Sequence, residues 1–579
     1  MTLDTLGSRS TAIGAITLAN QNFTTATESY NTAVGYAAGQ EVTTGVQNTL
    51  IGGLAGDALT DADTNVAVGT SALSADTKGS KSTAIGHSAL EAQNFTTSTD
   101  SHNTAVGNNT GTALTTGIQN TIIGSQAAKS LTDADQNVAI GYQALATDTL
   151  GSKSIAIGRE ALVTQNFTTA TDVYNVAVGH NAAQAVTTGI YNTVIGGLAG
   201  DSNTSGQRNV GVGLQALDFN TVGDASVAVG VNALRKQNPA TNTDMYNVAV
   251  GDEAGAELTT GTKNTFIGGL AGDAVNTGNN NTFVGQGAGG AVTTGLDNVY
   301  IGQNAAQTDD QSDFNVVVGA SACNDMNHGD ATGFMAVVGF QAGHYNVTGT
   351  SNTLLGYRAG FGVSGNSNSS NVAVGREAMY SVTTGSTNTV VGHAAGFNMT
   401  SGGNNTAIGN DAGRSGSPGG AITTGSNQIA LGDENVSSFF AQVALTVSSD
   451  ERDKTDFVDL DLGLDFVKAL EPVTYYWDKR SKYGDKTAED YDLNAQTPDG
   501  THKEDWMDVG FKAQSVQALE EAAGYKISDK KNLTVSLSAD EKQYGLRYEK
   551  FVPILVKAIQ DQDAIIQSLT ARIAALESN

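Results

Sequence analysis

The residues best suited to covalent chemistry sit together in Ser449-Asp-Glu-Arg-Asp-Lys454. A serine hydroxyl is a weak nucleophile and needs a base to take its proton. A lysine amine can be that base where burial disfavours its charged form. Attack by the activated oxygen on the preceding carbonyl would convert an amide into an ester, which water then cleaves. Ser-x4-Lys is a common spacing, so its weight depends on the sequence around it.

Other chemistry-like patterns carry less. GGLAGD recurs at 52–57, 196–201 and 268–273 but lacks the Lys-Ser/Thr of a phosphate loop, so a coil turn is the preferred reading. LTDADTN (59–65) and LTDADQN (131–137) place two carboxylates close together. The nonapeptide of calcium-binding β-rolls is absent, which favours solvated turn aspartates. The seven histidines show no ligand spacing, and Cys323 is the single cysteine. No metal site, cofactor or disulfide framework is expected.

The elements that must position the serine and lysine emerge from composition. Of the 579 residues, 70 are glycine and 5 proline, with no Gly-X-Y period, so collagen is excluded. The net charge of -28 argues against binding nucleic acid or an anionic membrane. The start, MTLDTLGSRSTAIG, shows no basic stretch followed by an apolar run, and no run of about 18 apolar residues suggests a membrane span. Residues 1–448 hold 64 of the glycines and 45 charged residues, whereas 449–579 hold 6 glycines and 43 charged residues. That shift predicts a shaft over 1–440, a linker and cleavage region over 441–448, and a second domain over 449–579.

The first part is a repeat array. An Asn-Thr-Ala-Val-Gly block closes on 24 glycines from Gly14 to Gly432, mostly 17 residues apart. Up to Gly251 the spacings run 21, 17, 17, 17, a superperiod of 72. A short fixed period with a strand-like core predicts a β-solenoid. Val or Ile precedes the glycine in 22 of 24 copies, usually after another apolar residue. Successive strand residues point to opposite faces, so one faces the coil interior and the other needs a cover outside it. Other copies of the chain are the economical cover. Asn stands four before the glycine in 18 copies. It either forms a hydrogen-bonded ladder or merely tolerates a turn. DTLGS at 4–8 repeats at 148–152, so the chain opens inside a repeat.

The 21-residue coils carry four extra residues in QNFTTATESY (21–30) and its counterparts at 93–102, 165–174 and 237–246. Their loops would lie about 19 Å apart at one strand spacing per coil, in a rod of roughly 115 Å. Phe23, Tyr30, Phe95, Phe167, Tyr174 and Tyr246 sit on them. These rings either contact a receptor, by sugar stacking or partner contact, or cap the roll against solvent. The irregular stretch 319–375 is a second candidate surface.

The blocks over 7–432 resemble the head repeats of trimeric autotransporter adhesins, which implies a left-handed β-roll wound into a homotrimer. Ser-Asp-Glu-Arg-Asp-Lys (449–454), GLDFVKALEPVTYYWDKR (463–480), DVGFKAQSVQALEEAAG (508–524) and the apolar-rich tail from Tyr544 resemble, in that order, the C-terminal intramolecular chaperone of phage tail spikes and fibres, the self-cleaving S74 peptidase class. That resemblance implies a domain that trimerises, drives folding of the fibre ahead of it and then cuts itself off. The cut implied is Ser448–Ser449, with Ser449 as nucleophile and Lys454 matching the family lysine. Asp453 departs from the apolar residue usual there; a carboxylate beside Lys454 would favour the charged amine and slow it as a base.

From about residue 550 the tail shows heptads: Val552, Ile559, Ile566 and Ile573 on one seam, Leu555, Gln562, Leu569 and Leu576 on the other. This predicts a coiled coil. By the simple seam rule it favours a dimer, so the expected trimer rests on the resemblances. The expected fold is mostly β, a left-handed parallel β-solenoid shaft in a homotrimer, followed by a small α+β chaperone ending in a coiled-coil helix. The expected function is a phage tail fibre or spike located in the virion and made in the host cytoplasm. It would adhere to a host glycan or protein receptor and release its chaperone by self-cleavage. The alternatives are a polysaccharide-degrading spike, which needs a carboxylate pair in a groove, and a bacterial surface adhesin, which needs a signal peptide and an anchor.

Overall fold

The computed structural model describes residues 4–329, 332–417, 419–443, 447–485, 491–538 and 540–578. The chain divides into two compact units, Met1–Phe334 and Met335–Asn579. Among the described residues, 18 solenoid coils lie in the first unit and six in the second, each built on one three-residue strand. The second unit also holds a small α+β region.

The coils are parallel and in strict register. Thr32–Val34 pairs with Thr49–Ile51 so that Thr32 meets Thr49, Ala33 meets Leu50 and Val34 meets Ile51. The central residue turns inward and is fully buried, as for Ala33, Leu50 and Ala67. The third residue turns outward and stays part-exposed; Ile51, Ile85, Ile123 and Ile195 all lie between 37% and 39%. Glycine follows because the backbone adopts a positive φ and passes close to the next coil. At Gly35, φ is 140° and a Cβ would sit 2.4 Å from the Gly52 carbonyl oxygen, a geometry open only to glycine.

Core volume is balanced within many coils and between neighbours. At Ala67, Ala84 and Ala139 the inward strand residue is small and the residue six positions later is a buried leucine: Leu73, Leu90 and Leu145. Where it is large the partner shrinks. Phe266 stands opposite Gly272, whose added Cβ would meet the ring at 2.7 Å. This pattern follows from close packing in an interior of fixed cross-section. Phe266, Phe283 and Tyr300 then stack along three successive coils with centroids 5.5 and 4.8 Å apart.

The recurrent asparagine is a ladder. Asn120 Oδ1 accepts the Asn137 N–H at 2.9 Å, and Asn120 Nδ2 donates to the Ala134 carbonyl at 2.8 Å. The pattern repeats up and down the coils, for example from Asn48 to Asn65 and from Asn281 to Asn298. The side chains are fully buried and satisfy backbone groups that the turn would otherwise orphan. At the 21-residue coils a buried box replaces one rung. Gln93 Nε2 donates to Asp76 Oδ2 (2.6 Å) and Ser82 Oγ (2.8 Å), and Asn103 Nδ2 donates to Gln93 Oε1 (2.9 Å).

In the second unit, helix α1 (Leu464–Ala469) precedes the antiparallel pair Val473–Tyr475 with Asp508–Gly510. Helix α2 (Ala513–Ala522) precedes the antiparallel pair Val535–Leu537 with Tyr544–Leu546. Helix α3 (Phe551–Glu577) ends the chain, and Pro553 is tolerated because it lies in the first turn. Leu462, Phe466, Val516, Val535, Phe551 and Ile554 form the core of this region. Beyond Ala558 the α3 seam is uncovered: Ile559, Ile566, Leu569 and Ile573 are exposed.

The candidate cleavage site and the exposed clusters of the shaft

Ser449 and Lys454 are brought together by one short turn. Glu451–Asp453 forms a single 3-10 turn. Asp450 caps it by accepting the Arg452 N–H at 2.9 Å, and Lys454 closes it by donating its N–H to the Glu451 carbonyl at 3.1 Å. The Arg452 guanidinium also grips Asp450, at 3.1 Å through Nε and 2.6 Å through Nη2. Arg452, by its side chain first and its N–H second, holds the Asp450 carboxyl below its ordinary range. With the turn fixed, the lysine side chain folds back. Lys454 Nζ donates to Ser449 Oγ at 2.5 Å and to the Ser449 carbonyl at 3.2 Å.

The pair is within the reach that proton transfer requires. Ser448, Ser449, Asp453 and Lys454 are all exposed in the single chain. The apolar side chains on either side, Val447, Phe457 and Val458, are exposed as well. The α+β region is seated on the last coil: Lys479 Nζ donates to the Glu434 carbonyl at 2.8 Å, and Asp540 Oδ2 accepts the Ala421 N–H at 3.3 Å. Lys479 is held by Glu504 at 3.4 Å. Neither this seat nor the Asp450–Arg452 grip was singled out from sequence; the acid and base two residues apart in Ser-Asp-x-Arg was the available signal for the grip.

The aromatic residues of the long coils divide. Phe23, Phe95 and Phe167 are buried against the coils in the single chain, the placement expected of rings that cap the roll. The cause is the box beneath them: Asp148 Oδ1 accepts the Phe167 N–H at 2.9 Å and pulls the residue inward. Tyr30, Tyr174 and Tyr246 are exposed. Each belongs to a cation–carboxylate–tyrosine cluster that sequence reasoning missed. Arg9 pairs with Glu28 at 2.7 Å, and Tyr30 Oη donates to Glu28 at 2.6 Å. Lys153 pairs with Asp172 at 2.6 Å and donates to Tyr174 Oη at 3.2 Å. Arg208 pairs with Asp244 at 2.6 Å, and Tyr246 Oη donates to Asp244 at 3.0 Å. Lys81, Asp100 and His102 occupy the same places in the second superperiod. The spacing 9/28/30, 81/100/102, 153/172/174 was the legible signal.

From the irregular stretch onward, Phe361 and Tyr380 stack at 4.9 Å, and Tyr380 and Phe397 at 4.8 Å. Arg414 lies 4.7 Å over Phe397 and Arg358 5.2 Å over Phe361. Their faces are thus occupied within the chain. The turn aspartates serve the coils: Asp63 and Asp135 accept the backbone N–H groups of Val46 and Ile118, each at 2.8 Å.

Residues 449–525 match the family model for the chaperone of endosialidase, peptidase S74. The match begins at Ser449 and ends just past α2, so the last strand pair and α3 lie beyond it. No curated protein and no solved structure matches the chain. A β-solenoid shaft followed by this domain fits a tail fibre or tail spike with an S74 chaperone. The family that residues 449–525 resemble is one of self-cleaving, serine-type intramolecular chaperones.

Proposed function

We propose that the chain is a trimeric tail fibre or spike component of a phage virion, whose C-terminal domain guides folding of the shaft and then cuts the Ser448–Ser449 bond. The observation that carries this reading is Lys454 Nζ 2.5 Å from Ser449 Oγ, at the first residue of the family match. The neutral amine of Lys454 takes the hydroxyl proton, and Ser449 Oγ attacks the Ser448 carbonyl carbon. The C–N bond breaks as the Ser449 nitrogen takes a proton, leaving an ester on Oγ and a free α-amine. Water then attacks the ester, releasing the Ser448 carboxylate and restoring the serine hydroxyl. The released shaft ends at Ser448.

Trimerisation is supported by two uncovered apolar stripes, the outward strand residues of the coils and the α3 seam. Host adhesion is supported by the exposed tyrosine clusters, whose rings, carboxylates and cations suit a glycan or protein receptor. The experiment is intact-mass measurement and light scattering on the purified chain. The wild type yields fragments of 448 and 131 residues, and Ser449→Ala yields one intact 579-residue chain that still forms three-chain particles. A cut elsewhere, an uncut wild type or a soluble single-chain particle overturns the reading.

A further inference from the structure

The last shaft strand, Ile429–Leu431, pairs in register with Thr406–Ile408, and its other edge has no strand partner among the described residues. The chain leaves it through a turn in which Asn435 donates both its N–H (2.9 Å) and its Nδ2 (2.8 Å) to Asp433. From Val436 to Ser449 the sequence VSSFFAQVALTVSS contains no charged residue, although Asp433-Glu434 and Asp450-Glu451 bracket it closely. Phe439, Ala441, Val443, Leu445 and Val447 alternate with Phe440, Gln442, Ala444, Thr446 and Ser448. That period of two is a strand pattern. In the single chain nothing covers it: Phe439 is 68% exposed, Phe440 92%, Val443 77% and Val447 76%. Outward isoleucines of the coils such as Ile51, Ile85 and Ile123 are better covered. A bare apolar segment with a strand pattern, next in the chain to an unpaired strand edge, is an aggregation template unless a partner occupies it.

We infer that Val436–Val443, together with Val447, is the surface through which three copies of this chain close the C-terminal end of the shaft. This rests on the trimeric reading above. Charge identifies the partner. About a three-fold axis each residue meets its own copies, and a charged residue would meet its like; this stretch has none in a chain of net charge -28. Continuity points the same way, because the segment follows directly on the outward apolar stripe that the neighbouring copies cover. Its place also matters. It lies on the amino side of Ser448–Ser449 and stays with the shaft after the cut, so departure of the chaperone would otherwise leave an apolar end bare. Phe439, Ala441 and Val443, with Val447, face the axis, and Gln442 faces away.

Single cysteines in the full chain test this, both in the self-cleaving form and with Ser449→Ala. The native Cys323 is buried and stays unreactive. Phe439→Cys and Val443→Cys are compared with Gln442→Cys on the opposite face and Thr25→Cys on an exposed loop, using a short bismaleimide that joins two thiols as thioethers. Dimer and trimer bands are expected from the 439 and 443 variants at yields several-fold above the other two, and in the self-cleaving form the linked bands have the size of the shaft. Three-chain particles that link no better at 439 and 443 than at 25 overturn this inference alone. Equal yields at 443 and 442 overturn the strand arrangement. A single-chain particle overturns the trimeric reading with it.

Discussion

Lys454 offers the sharpest test of the chemistry. Its amine is placed to accept the Ser449 proton, with Nζ 2.5 Å from Oγ and the turn held by the Asp450–Arg452 grip. Lys454→Arg keeps the positive charge but cannot accept a proton, since a guanidinium stays protonated. Lys454→Met keeps the length and loses both charge and base. A positioned base contributes roughly 10²- to 10⁴-fold, which at about 1.36 kcal/mol per decade is about 2.7–5.4 kcal/mol of barrier. Both variants should therefore cut at Ser448–Ser449 about 10²- to 10⁴-fold more slowly than wild type, with folding and assembly intact. The assay is a single-turnover time course after synthesis, quenched and read by intact mass for the 131-residue fragment. A small primary amine in the buffer should restore part of the rate to Lys454→Ala. Asp453→Leu, which restores the apolar residue usual in the family, should cut at least as fast as wild type. Wild-type rates in both Lys454→Arg and Lys454→Met would refute the base assignment and leave the lysine a structural role.

Three further outcomes follow from the shaft. Asn120→Ala strands the buried Asn137 N–H and Ala134 carbonyl, each costing roughly 1–3 kcal/mol; amide exchange over 134–140 should quicken accordingly, and a change no larger than that of the exposed Gln119→Ala would sink the ladder. Burial lifts the Asp309 carboxyl to about 6, with the Tyr300 hydroxyl donating to it at 2.5 Å. The folded state thus holds this proton more tightly than the unfolded chain, so stability falls as pH rises from about 4 to 6, by about 3 kcal/mol, and Asp309→Asn should flatten that slope in denaturant titrations. Phe167→Ala should cost roughly 3–5 kcal/mol of shaft stability, whereas Tyr174→Ala should leave stability within about 0.5 kcal/mol and weaken binding of labelled shaft to host cells; the reverse pattern would contradict the division of the rings.

The coil architecture was legible in the sequence because a parallel, in-register solenoid imposes the same local demand on every coil. Each closing glycine must pass a neighbouring carbonyl at a positive φ, and each strand must offer one residue to the interior, so Gly35, Gly52 and Gly69 recur with Ala33, Leu50 and Ala67 before them. The site was half legible. Four residues separate Ser449 from Lys454, enough for one turn, yet only the tertiary structure shows that the turn closes, because closure depends on the Asp450–Arg452 grip. The asparagine positions could be counted but not interpreted, since a ladder and a tolerated turn select the same residue. Stacking decided it, by placing Asn120 Oδ1 2.9 Å from the next Asn N–H. Phe167 and Tyr174 share one loop and similar propensities. Which ring turns inward is set by the buried Asp148 carboxylate, a contact between residues 19 apart that local sequence does not encode. Balance between Phe266 and Gly272 likewise exists only once a coil has closed and fixed the volume that the two must share.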